Sequence, residues 1–144
     1  MIKILYVCVQ NSARSQIAEA LTNQLCGPDL RAYSAGIEPG ELSPLAVEVM
    51  REGGVDISLS ETKGVFDMYR AGMLFNYVVT VCDETSAERC PIFPGVTKRL
   101  HWSIPDPAAL EGSVEQKLIK ARAIRDLLQT HIAELCAQIS GSIA

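Results

Sequence analysis

Cys8 and Arg14 stand six residues apart in the run Val7-Cys8-Val9-Gln10-Asn11-Ser12-Ala13-Arg14-Ser15-Gln16. A thiol and a guanidinium at that spacing, between an apolar strand and the start of a helix, build an oxyanion site with a nucleophile inside it. Backbone N–H groups along Val9, Gln10, Asn11, Ser12 and Ala13 and at the helix N-terminus can converge on a tetrahedral anion, and Arg14 can grip two of its oxygens. The same positive field favours the thiolate of Cys8. Ser15 adds a hydroxyl able to donate to that thiolate, and Asn11 an amide able to brace the loop. A bare Cys-x5-Arg is a common accident in a chain with five cysteines, so the surrounding elements decide its weight.

Those elements read as alternating strand and helix. Residues 2–7 form a short apolar, branched-rich run suited to a buried parallel strand, and 15–26 follow with helical spacing. Residues 31–35 give a second strand ending at Gly36. Ser43-Pro44 opens a helix that Gly53-Gly54 stops. A weaker helical segment spans about 63–72. Asn76 to Val81 is the best strand in the sequence, with Cys82 directly after it, and Thr97 to Trp102 gives a fourth. The stretch from about 114 to 139 is a long amphipathic helix, with Leu118, Ile124, Leu127, Leu128, Ile132 and Leu135 facing inward and Lys117, Lys120, Arg122 and Arg125 on its solvated face. The pattern predicts an α/β fold: one domain over residues 1–144, a doubly wound parallel sheet of about four strands with helices on both faces. In such a sheet Cys8, Cys82 and Asp106 leave their strands on one edge, where ligands bind.

Cys82 and Cys90 flank a short polar segment. Were it helical, eight steps of about 1.5 Å would part their Cα atoms by roughly 12 Å, against the 4.4–6.8 Å or so of a disulfide. Bonding therefore requires local unwinding, which few apolar anchors oppose. Two readings stand: a resolving pair that takes oxidation from Cys8, or one buried and one incidental thiol. Asp106, between two prolines on a rigid loop, is either a general acid for a Cys8-bound oxyanion or an ordinary turn residue. Cys26 and Cys136 read as small apolar packing residues on the first and last helices. His101 and His131 are not read as ligands, and no four-ligand zinc spacing is present.

Composition narrows the class. The 144 residues, 48% hydrophobic and 21% charged, fit one soluble domain. A net charge of −4 argues against a general nucleic-acid binder. No apolar run approaches a membrane span, and the N-terminus enters a strand without a signal-peptide pattern, so a cytoplasmic monomer without membrane contact is expected. The odd cysteine count suits catalytic or redox thiols better than a disulfide framework.

Taken together, four blocks resemble the low-molecular-weight protein tyrosine phosphatases, and among them the thioredoxin-coupled arsenate reductases. They are Cys8 to Gln16, Tyr33-Ser34-Ala35-Gly36, Val78 to Cys82 with Cys90-Pro91, and His101-Trp102 leading into Asp106-Pro107. Arg14-Ser15-Gln16 departs from the Arg-Ser-Pro usual in the phosphatases, and Asp106-Pro107-Ala108 lacks their aromatic residues after the acid. Both departures favour the reductase branch. The resemblance implies that Cys8 attacks arsenate, Asp106 protonates the leaving oxygen, Cys82 attacks Cys8 to release arsenite, and Cys90 then takes over the disulfide for reduction by thioredoxin. It implies no tightly bound cofactor, phosphate or sulfate as substrate mimics, and weak phosphatase turnover. The Cys82 and Cys90 pair favours thioredoxin over glutaredoxin. Ala13 replaces a cysteine often found before the loop arginine. Some relatives bind potassium through residues matching Asn11, Glu19 and Ser34 and an acid near Gly64; here that acid is absent, with Asp67 close by. The competing readings are a phosphomonoesterase acting on phosphotyrosine, and a thiol redox sensor or oxyanion-binding module without turnover.

Overall fold

The computed structural model describes residues 1–96, 98–107 and 111–143. Its centre is β1 (Ile2–Cys8), whose residues from Ile4 to Cys8 are all buried, as a strand covered on both faces requires. α1 (Arg14–Leu25) follows, then β2 (Leu30–Gly36), α2 (Pro44–Glu52), α3 (Val65–Arg70), β3 (Tyr77–Thr80), the short α4 (Glu84–Ala87), β4 (Lys98–His101) and the long α5 (Val114–Ile143). The four strands are parallel in the order β2-β1-β3-β4. Strand order therefore reverses between β1 and β3, the switch point at which a doubly wound sheet opens a crevice beyond its carboxyl ends.

Alternation along β1 divides the interior in two. Ile4, Tyr6 and Cys8 face a cluster with Ile17 and Leu21 of α1, Val49 and Met50 of α2, and Ile124, Leu128 and Ile132 of α5. Leu5 and Val7 face a smaller cluster with Val65 and Met68 of α3, Phe75, Val78 and Phe93. Cys82 packs in the first cluster with Cys8, and Cys90 in the second. The relay thiols named from sequence thus belong to different layers.

Local signals act where expected. Ser43 caps α2 by accepting from the Ala46 N–H, and Pro44 occupies its first turn. α3 is shorter than the segment read from sequence, beginning only after Gly64. The expected start of β4 at Thr97 lies outside the described residues, as does Ala108. Three readings of the helices need correction. Leu127 is 40% exposed, while Ala121, Ile124, Leu128, Ile132, Leu135 and Ile139 line the buried stripe. That stripe repeats at three- and four-residue steps, and Leu127 falls one position off it. Arg122 and Arg125 do not merely face solvent: Arg122 forks onto the Glu52 carboxylate, and Arg125 donates to Glu52 and to the Val49 carbonyl, tying α5 to α2. Finally, Cys26 and Cys136 pack against the core as read but are joined in a disulfide, with Cα atoms 6.1 Å apart. The end of α1 lies against α5, and the two thiols meet there. Among the described residues no helix is long and apolar enough to cross a membrane.

Candidate active site

The loop from Cys8 to Arg14 is shaped by the segment after β2. Ile37 N–H donates to the Cys8 carbonyl, Glu38 to Val9, Gly40 to Gln10 and Ser43 to Ser12, at 2.8–3.1 Å. In a trans peptide the N–H of the next residue points opposite to the carbonyl. Four carbonyls drawn outward thus turn the N–H groups of Val9, Gln10, Asn11 and Ala13 inward, around the Cys8 sulfur. Asn11 carries the turn at φ 56°, a conformation asparagine tolerates, and its N–H donates to Cys8 Sγ at 3.1 Å. Gly36 makes the close approach possible, since a Cβ there would lie 2.7 Å from Asn11 N and Gln10 C. The sequence marks that glycine only as the end of a strand, with no sign of its packing under the loop.

The side chains complete the cradle. Ser15 Oγ lies 2.8 Å from Cys8 Sγ and accepts from Asn11 Nδ2 at 2.7 Å, which leaves the hydroxyl proton for the sulfur. Gln16 Nε2 donates to Asn11 Oδ1 and to the Glu61 carbonyl, so the residue standing in the usual proline position braces the loop from below. Arg14 is buried, donates to the Ile104 carbonyl at 3.1 Å, and brings Nη2 within 3.9 Å of Asp106 Oδ2. A cavity of about 300 Å³ opens here, lined by Cys8, Val9, Gln10, Ser12, Ala13 and Arg14, with Asp83, Ile104, Pro105 and Asp106 opposite.

Two carboxyls therefore face the thiol. Ser86 holds the Asp83 carboxyl below its ordinary range by hydrogen bonding, its N–H donating to Oδ2 at 2.9 Å while Asp83 caps α4. Asp83 is held as a carboxylate, and Asp106, beside Arg14, is the carboxyl named from sequence as the candidate acid. Asp83 went unnoticed in the sequence, although it directly follows Cys82.

Cys82 is fully buried just beyond β3 and does not line the cavity. Burial pushes its thiol up to about 11; Arg14 pulls the other way, while Cys8, Asp83 and Cys90 add to the rise. Burial also raises the Cys90 thiol, and Arg99 opposes the rise. Cys90 Sγ approaches the Pro91 carbonyl at 3.6 Å. The structure thus sets Cys8, Arg14 and Asp106 around one cavity, with Ser15 bonded to the Cys8 sulfur, Cys82 buried in the same layer as Cys8, and Cys90 in the other layer.

Asn11, Glu19 and Ser34, the residues matched to a potassium site, are engaged in hydrogen bonds of the fold. Asn11 Oδ1 accepts from both Gln16 Nε2 and the Lys63 N–H, which fills its lone pairs, and the Ser34 hydroxyl donates to Glu19 Oε1. Burial raises the Glu19 carboxyl, and Lys63, followed by the Ser34 hydroxyl, offsets that rise with positive charge and a hydrogen bond already in the fold. Gln16 Oε1 is buried without a partner among the described residues. Neither histidine joins the site. His101 bonds Thr80 and Ser103, and His131 stacks on Trp102.

Relatives carry the same framework. The arsenate reductase of Bacillus subtilis (strain 168) is 40% identical over 135 residues, covering 92% of this chain and 94% of that protein. Among solved structures, an arsenate reductase in its phosphate-binding state superposes with a TM-score of 0.80 at 25% identity, over 96% of this chain and 99% of the other. A thioredoxin-dependent arsenate reductase from Corynebacterium glutamicum gives 0.75 at 33% identity, spanning 99% of this chain and 63% of that one. The model of low molecular weight phosphotyrosine protein phosphatases matches residues 3–143, the span that holds the Cys8 loop, Cys82, Cys90 and Asp106. With a Cys-x5-Arg loop at the switch point of a four-stranded parallel sheet, the chain belongs to that family.

Proposed function

We propose that this chain reduces arsenate to arsenite, with thioredoxin as the external reductant, acting as a cytoplasmic monomer whose single domain over residues 1–144 holds every catalytic group. The observation that carries the reading is the buried Cys82 packed in the same layer as Cys8, with Cys90 eight residues on; phosphoester hydrolysis needs neither thiol. The names of the relatives support the same reaction.

Arsenate enters the cavity as a tetrahedral anion on the inward N–H groups and Arg14, where its oxygens meet donors already fixed in place. Phosphate and sulfate fit the same cradle. Cys8 thiolate attacks arsenic, a sulfur–arsenic bond forms, and the departing oxygen leaves as water with the proton from Asp106. Cys82 thiolate then attacks Cys8 Sγ. The sulfur–arsenic bond breaks, its electron pair leaves with arsenic as arsenite, and a Cys8–Cys82 disulfide forms. Arsenic gains two electrons and the two thiols lose them. Cys90 attacks Cys82, freeing Cys8 as thiolate, and the dithiol of thioredoxin reduces the Cys82–Cys90 disulfide.

Phosphate and arsenate share shape and charge, so the same loop hydrolyses aryl phosphates weakly. Cys82→Ser is expected to abolish multiple-turnover arsenate reduction, followed as NADPH consumption with thioredoxin and its reductase, while aryl-phosphate hydrolysis persists. Equal arsenate turnover by Cys82→Ser and the parent protein would remove Cys82 from the relay, and aryl-phosphate hydrolysis without any arsenate turnover by the parent would favour a phosphatase. Replacing thioredoxin with glutathione and glutaredoxin in the same assay should support little turnover.

A further inference from the structure

The relay needs one thiol to travel and another to wait. The segment after Cys82 is built to travel: α4 is four residues long, buries none of them, and is held at its start by the Asp83 cap. Cys90 is built to wait. It is 4% exposed among Phe75, Val78 and Phe93, in the layer opposite Cys8 and Cys82. At this end stands Arg99 of β4, whose Nη2 donates to the Ala87 carbonyl at 3.1 Å and to the Cys90 carbonyl at 3.4 Å. The Ala87 carbonyl ends α4 and also accepts from the Cys90 N–H at 3.2 Å, so Arg99 joins a turn that already links the helix end to Cys90.

We propose that Arg99 is a positioning residue for the second thiol exchange, gripping the carbonyls of Ala87 and Cys90 so that the Cys90 thiol stays anchored while Cys82 is brought to it. This rests on the reading of Cys82 and Cys90 as relay thiols. In the exchange, Cys90 loses its proton to solvent and its thiolate attacks Cys82 Sγ of the Cys8–Cys82 disulfide. The Cys82–Cys90 bond forms, the Cys8–Cys82 bond breaks, and the electron pair leaves on Cys8 with no net oxidation. Arg99 is the charged group whose field reaches Cys90, and its neighbours in that layer are apolar. The guanidinium therefore serves both geometry and charge: it fixes the backbone of the attacking residue and favours its thiolate.

The test follows single-turnover arsenite release and Cys82–Cys90 disulfide formation separately, by rapid quench and thiol trapping, in the parent protein, Arg99→Gln, Arg99→Lys and Cys90→Ser. Arg99→Gln should slow the second step about tenfold relative to the first, the loss of one well-placed charged hydrogen-bonding group, and move its pH profile to higher pH. Arg99→Lys should restore part of the rate and most of the pH profile, because it keeps the charge without the fork. If Cys90→Ser stops multiple turnover yet both Arg99 variants form the Cys82–Cys90 disulfide at the parent rate and pH dependence, the role of Arg99 is overturned and the relay stands. If Cys90→Ser turns over like the parent, the relay reading itself falls.

Discussion

Cys82 shows how one residue's surroundings set the tempo of the proposed reaction. Its thiol sits at about 11 because burial disfavours the charged form more than Arg14 favours it. A group raised this far is protonated throughout the neutral range, and its reactive thiolate increases about tenfold with each pH unit until pH nears 11. Single-turnover arsenite release should therefore climb steeply between pH 7 and 9 in rapid-quench measurements; a flat profile would remove Cys82 from the limiting step. The cradle residues themselves were legible in the sequence, because a strand, a thiol, an arginine and a helix start sit side by side in the chain. Gly36, Asp83 and Arg99 were not. Their roles depend on a glycine packing under a loop, a cap folded toward a cavity, and a strand neighbour reaching a helix end, and no spacing along the chain encodes those meetings.

Among the elements, α5 separates what periodicity predicts from what packing selects. Leu127 and Leu128 are equally apolar, yet Leu127 is 40% exposed and Leu128 fully buried against β1 and α1 residues. Leu128→Ala should cost about 2–5 kcal/mol in urea unfolding, the range for truncating a packed core leucine. Leu127→Ala should change stability by no more than about 0.5 kcal/mol. Comparable losses for both would mean that the stripe is wider than the structure shows. Strands β1 and β3 were readable because both faces are covered and their apolar runs are unbroken. The edge strand β4 was harder to place, since three of its residues are exposed and its composition is polar. The arginines of α5 were misread for the converse reason. A charge on a helix looks solvated until a partner such as Glu52 arrives from an element 70 residues away.

At the scale of the whole molecule, the Cys26–Cys136 disulfide is the feature that the cysteine count concealed. Three of the five cysteines remain thiols, the three proposed for the relay, and the other two bridge a separation of 110 residues. A loop of that size removes enough conformational freedom from the unfolded chain to stabilise the fold by about 4–5 kcal/mol in the chain-entropy picture. Cys136→Ser, or a dithiol reductant acting on the parent protein, should lower the urea unfolding free energy by an amount approaching that value. A change below about 1 kcal/mol would show that packing between α1 and α5 does the work without the bridge. Both half-cystines are partly exposed, so a small reductant has access to them.

The bridge also divides the chain in a way the sheet does not. Residues 26 to 136 become a covalent ring containing β2, β3, β4, Cys82, Cys90 and Asp106, whereas Cys8 rides outside it on the β1–α1 arm. That arm is held against the ring by noncovalent contacts: the pairing of β1 with β2 and β3, the packing of α1 in the core, and side-chain bonds such as Arg14 to the Ile104 carbonyl. A protease cutting at the exposed Gly53-Gly54 turn would therefore leave one covalent molecule, a single band on a non-reducing gel, and only reduction would part the nucleophile's fragment from the fragment bearing its relay.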